Sequence, residues 1–222
     1  SDSGARGAEG SADQCSDGAG NTIPLFVSAT EVYAVGSGSG TSNTAFGQYA
    51  GVDLTGNYNT LYGSQAGKVL TSGANNVAVG RNALATHVDG SYNIAIGVGA
   101  MGDTDAGSTV DGAVGNVMIG EGAGGAAWAN SAVNYNVGIG YESLRGVMTS
   151  AATGTVAIGY QSLNALTSGA GNTAIGYASL KASVDGSYNT ALGYQAMEVF
   201  EAGSAEGQSV AIGYNAGRYI ST

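Results

Sequence analysis

Asn172-Thr173-Ala174-Ile175-Gly176 returns as Asn189-Thr190-Ala191-Leu192-Gly193 and again as Ser209-Val210-Ala211-Ile212-Gly213. The glycines that close the phrase are Gly47, Gly63, Gly80, Gly97, Gly120, Gly140, Gly159, Gly176, Gly193 and Gly213, after a degenerate first copy ending at Gly36. From Gly47 onward their separations are 16, 17, 17, 23, 20, 19, 17, 17 and 20 residues, so one short unit recurs with occasional loop insertions. Such self-similarity is the signature of a stacked array, in which each unit buries its apolar face only against its neighbours. Function is then sought on a surface or in an assembly.

Inside the phrase, the residue after the Asn is β-branched in every full copy, from Thr44 and Thr60 to Val156 and Val210, and the residue before the Gly is bulky and apolar. The residue between them is small in eight copies, with Leu61 and Met118 the exceptions. Period-two alternation predicts a short strand buried on both faces, the bulky side filling a core and the Ala side admitting a close backbone. Three residues after the Gly stands another small residue (Ala50, Ala66, Ala83 and onward), then Leu, Met or Gly, which predicts a second short strand per unit. Segments such as Thr71-Ser72-Gly73-Ala74-Asn75 supply turn residues. The expected architecture is an all-β parallel solenoid of about ten to eleven rungs, rising about 4.8 Å per rung. A helical solenoid is excluded, because 40 glycines in 222 residues would each cost a helix about 1 kcal/mol.

The repeat covers residues 31–222 and leaves an N-terminal arm over 1–30. That arm is Gly/Ser/Asp-rich and then extended and apolar, so Cys15, Ile23, Leu25, Phe26 and Val27 are candidate assembly residues that could add to a neighbouring subunit. The chain opens on Ser1 instead of Met, which suggests a processed or excised segment. Cys15 is the single cysteine, so an intrachain disulfide is excluded.

Six Lys and Arg against sixteen Asp and Glu give a net charge of −10, with the bases scattered. Nucleic acid is an unsuitable partner, because phosphate binding needs clustered cations. No apolar run approaches the length of about 18 residues that a membrane span requires. The one histidine, His87, precedes Val88-Asp89-Gly90 and is expected in a surface turn. Without a nucleophile or a convergent ligand set the chain is expected not to be an enzyme, and neither a metal nor a cofactor is expected. The Asp-Gly pairs, such as Asp185-Gly186, occur in too few rungs to stack into a calcium site and read as turns.

The residue after the repeat Gly is Tyr in the last five copies: Tyr141, Tyr160, Tyr177, Tyr194 and Tyr214. In a solenoid these form an aromatic column that stabilises the stack and is also a candidate platform for sugar rings. Trp128, the only tryptophan, lies in an insertion and is a candidate for packing or for ligand contact. The repeat asparagines, Asn43 to Asn189, are expected to hydrogen-bond up and down a column.

The phrases Thr155-Val156-Ala157-Ile158-Gly159 and Ser209-Val210-Ala211-Ile212-Gly213 resemble the head repeat of YadA-type trimeric autotransporter adhesins. The form Asn189-Thr190-Ala191-Leu192-Gly193-Tyr194-Gln195-Ala196-Met197 is similar to the repeat of bacteriophage tail-fibre proteins. The resemblance implies a left-handed β-roll, commonly homotrimeric, with the Ala-bearing face against a neighbouring chain. It also implies an extracellular structural or adhesive fibre, on a virion appendage or a cell surface, that contacts a host receptor or glycan. The alternative is a self-polymerising extracellular filament subunit joined through its N-terminal arm.

Overall fold

The computed structural model describes residues 40–103, 112–126, 128, 133–149, 151–201 and 208–221, all within a unit spanning Tyr33–Thr222. Each phrase forms one three-residue strand: β1 (Thr44–Phe46), β2 (Thr60–Tyr62), β3 (Val77–Val79), β4 (Ile94–Ile96), β5 (Val117–Ile119), β6 (Val137–Ile139), β7 (Val156–Ile158), β8 (Thr173–Ile175), β9 (Thr190–Leu192) and β11 (Val210–Ile212). These ten pair in sequence order into one parallel sheet, each residue opposite its counterpart in the next copy. Two further strands, β10 (Val199–Glu201) and β12 (Tyr219–Ser221), pair separately. The fold is therefore an all-β parallel solenoid. The degenerate copy at Gly36 and the arm over 1–30, with Cys15, Ile23, Leu25, Phe26 and Val27, lie outside the described residues.

The repeat glycine has a backbone reason. Its φ is 125–138° in all ten copies, a conformation essentially closed to side-chain-bearing residues. A Cβ on Gly63 would also lie 2.6 Å from the carbonyl oxygen of Gly80 in the next rung. Both constraints act at once, so the position admits glycine alone.

Two expectations are corrected. Among the described residues, the segment directly after that glycine runs as a chain of turns where the second strand is expected, and only the last two rungs carry a second strand, β10 and β12, further on. Its second and fourth residues adopt left-handed φ in every rung, as at Gln65 (61°) and Gly67 (55°) or Asn82 (60°) and Leu84 (52°). Its hydrogen bonds accordingly alternate: Gln65 N–H donates to Gln48 O in one neighbouring rung, Ala66 N–H to Gly63 O in its own, and Gly67 N–H to Ala83 O in the other neighbour.

The faces of the strand are also reversed. The central residue is the buried one in all ten strands of the main sheet, while the β-branched and bulky residues on either side are half-buried or exposed. The lumen is narrow and in six rungs is filled from the opposite wall by the left-handed Leu84, Met101, Leu144, Leu163, Leu180 or Met197, all buried. Alanine on the strand leaves room for that side chain. The Ala-bearing face thus packs inside its own chain, and the face available to a neighbour is the Val/Ile/Thr face.

The asparagine column behaves as the sequence suggests. Each Asn Oδ1 accepts the backbone N–H of the corresponding residue in the next rung, as in Asn76 to Asn59 at 2.9 Å and Asn93 to Asn76 at 2.9 Å, with Thr155 and Ser209 donating to Asn136 and Asn189. From Asn43 to Asn172 each Nδ2 donates to a turn carbonyl, such as Asn76 to Gly90 O at 2.8 Å. These buried amides are therefore satisfied and lock rung to rung. The weak link is Thr155, whose Oγ1 lies 3.4 Å from the Asn172 nitrogen.

Candidate functional site

Tyr141, Tyr160, Tyr177, Tyr194 and Tyr214 form one ladder, brought together by the rung-to-rung register. Successive ring centroids lie 5.3, 4.8, 4.9 and 5.5 Å apart, the planes within 20° of parallel. Inserting a sugar ring between two such rings would require about 7–8 Å, twice the ordinary carbon contact separation. The inner rings therefore offer only edges and hydroxyls. Free aromatic faces remain at the two ends, on Tyr141 and on Tyr214, which is 75% exposed.

At the Tyr141 end, the next two residues down the same column are Glu121 and Val98. An open recess of about 220 Å³ lies there, its walls including Tyr141, Glu121, Glu142 and Arg145, with Gly99, Gly122 and Gly125 beside Val98. Glu142 is fixed: its Oε1 accepts from Arg145 Nη1 at 2.6 Å and its Oε2 from Gln161 Nε2 at 2.7 Å. The negative charge of Glu142, then partial burial, then the charge of Glu121 hold the Tyr141 phenol above its ordinary range. The recess thus combines one aromatic face, hydroxyl and carboxylate acceptors and a guanidinium donor.

Trp128 is elsewhere. It is 2% exposed and belongs to the core, where a Cβ on Gly124 would touch its ring edge at 3.1 Å. Its indole offers no surface to a ligand, in keeping with the packing alternative.

His87 is not in a surface turn, which corrects the sequence expectation. It is fully buried, with its Nε2 3.2 Å from Asn93 Nδ2. Burial lowers its pKa to about 4, against which a hydrogen bond with the Ala113 backbone acts. The space it fills is that left by Gly90, where any Cβ would overlap the imidazole. Among the described residues, no group of three or more His, Cys, Asp or Glu converges as a metal site, and no helix is long and apolar enough to cross a membrane.

The sequence reading missed the outer strand face as a feature. Its two columns run from Thr44 and Phe46 to Val210 and Ile212, twenty positions without a charged residue. Phe46 stacks on Tyr62 at 5.1 Å at one end, and Leu192 and Ile212 stand exposed towards the other. The signal is present in the β-branched alternation, which the sequence alone directs to the lumen.

Compared with protein-family models, with curated proteins and with solved structures, the chain has no match.

Proposed function

We propose that this chain is a non-enzymatic structural and adhesive fibre module, a homotrimeric left-handed β-roll of the kind its repeat resembles, carried outside the cell or on a virion and contacting a host surface. The observation that carries it is the uncharged outer face of the ten-stranded sheet. Contiguous apolar surface of this extent on a small protein marks an interaction site. The partner that best fits two columns rising by one rung at a time is a surface with the same rise, that is, further copies of this chain related by a rotation about the stacking axis. Such an arrangement buries the Val and Ile columns at its centre and leaves the tyrosine ladder and the turns outward.

Sedimentation equilibrium of the purified chain tests this. A mass of three chains supports it, and a monomer in which the Val/Ile face stays in water removes the assembly on which the fibre rests.

The alternative assembly is end to end, through the N-terminal arm. One observation favours it: the terminal strand β11 is paired only on its β9 side, and its Val210 and Ile212 are more exposed than their counterparts one rung earlier. A parallel strand edge of this kind accepts another chain. Deleting residues 1–30 abolishes filament growth under this alternative and leaves a three-chain rod under the first.

A further inference from the structure

We infer that the recess below Tyr141 is a binding site for a neutral hexopyranose; the inference deepens the adhesive function proposed above and rests on it.

The second residue after the repeat glycine adopts left-handed φ in every rung, and in eight of ten it carries a side chain: Tyr49, Gln65, Asn82, Glu142, Gln161, Ala178, Gln195 and Asn215. The backbone therefore does not require glycine there. Packing does not require it either. A Cβ on Gly99 would meet nothing within 4 Å, and one on Gly122 would meet only Glu142 Cγ at 3.5 Å, an ordinary contact. Gly125 is a different case, since its Cβ would lie 2.8 Å from Gly99 O. Two consecutive rungs thus omit a side chain that the fold accommodates, and they do so directly beneath the place where the tyrosine column stops. The omission has one structural result, which is the open floor of the recess.

What lies over that floor selects the ligand. Tyr141 stacks on Tyr160 by one face only, and the rung below carries Glu121 in place of a ring. A pyranose presents a face of C–H groups that packs on an aromatic ring, with hydroxyls at its rim. The Glu121 carboxylate and the Tyr141 hydroxyl accept from those hydroxyls, and Arg145, held by Glu142 at 2.6 Å, donates to them. Two carboxylates within a chain of net charge −10 disfavour acidic sugars. A few oriented polar groups around one apolar platform is the general form of a small-ligand site.

The test is an array of immobilised neutral and acidic hexopyranosides probed with the intact labelled protein, followed by titration of any hit. Neutral sugars are expected to bind, and Gly122→Gln, which fills the floor with a residue other rungs carry, and Tyr141→Ser are each expected to weaken binding about ten-fold or more. Should Gly122→Gln fail to fold, Gly99→Gln replaces it, because its side chain enters open space. Binding that is unchanged in a folded glycine variant overturns the site and leaves the adhesive function standing. So does an empty array with continued adherence of the protein to whole cells. An empty array together with no adherence to cells overturns the adhesive function as well.

Discussion

Leu61 and Gly67 exchange places with the pair that fills most other rungs. Leu61 points into the lumen from the strand, and the Cβ that Gly67 lacks would lie 3.0 Å from its Cδ2. In the next rung Ala78 stands on the strand and Leu84 enters from the turn. Met118 and Gly124 repeat the exchange, with a missing Cβ 3.0 Å from Met118 Cγ. Each such rung takes one large side chain from one wall or the other, which keeps the core at close packing. Leu61→Ala alone is expected to cost about 2–5 kcal/mol by opening a cavity. Gly67→Leu alone overfills the rung. The double variant recovers most of the loss, because Leu84 shows that leucine adopts the required φ of 52°. A double-mutant cycle by urea denaturation measures the coupling; additive losses would contradict the exchange.

His87 makes the rung stack sensitive to acid. Its folded pKa of about 4 lies below its ordinary value of 6.5, so the unfolded chain binds the proton first. The stabilisation is full above about pH 6.5 and falls as pH drops towards 4, by a total of about 3 kcal/mol. Melting curves of the protein and of His87→Gln are expected to converge as pH falls from 7.5 to 4.5. A constant difference between them would show that His87 does not contribute through its protonation.

Thr155 interrupts the asparagine column. Thr155→Asn restores an acceptor in place of the 3.4 Å contact to Asn172 and places an Nδ2 where the fourteen-residue offset of Asn59 to Gly73 and Asn172 to Gly186 points it at Gly169 O. A gain of about 1 kcal/mol is expected, seen as a higher melting temperature. A lower one would mean that the rung is closed to the longer side chain.

Tyr177 sits between two rings, at 4.8 and 4.9 Å. Tyr177→Ser is expected to cost about 1–3 kcal/mol, twice a single aromatic contact, whereas Tyr214→Ser, at the ladder's end, costs about half of that. Equal losses in chemical denaturation would indicate that the ladder contributes through individual burial and not through stacking.

The period and the parallel register were legible in the sequence because every copy carries a glycine that no other residue can replace. The direction of the faces was not, since the strand alternates large apolar with small apolar and neither pattern names the lumen. What decides it is a leucine or methionine in left-handed backbone, against its usual preference, and a run of such residues reads as a strand. His87 misled for a similar reason: its neighbours are turn formers, and nothing in them tells that Gly90 leaves a buried space, where Asn93, six residues on, and the backbone of Ala113, a rung away, partner the ring. The recess was illegible as a site because its defining feature is two absent side chains. The tyrosine ladder was legible, but its ring spacing, which closes the inner faces, required coordinates.

In the assembly proposed above, the outer strand face holds copies of this chain together. Sedimentation equilibrium of the 21.6 kDa chain beside its Ile139→Glu/Ile158→Glu variant tests it most directly, since both residues sit mid-sheet and point away from the lumen. Three chains are expected for the first and one folded chain, with unchanged circular dichroism, for the second. A single chain for the unaltered protein, or an assembly that survives both glutamates, would contradict it.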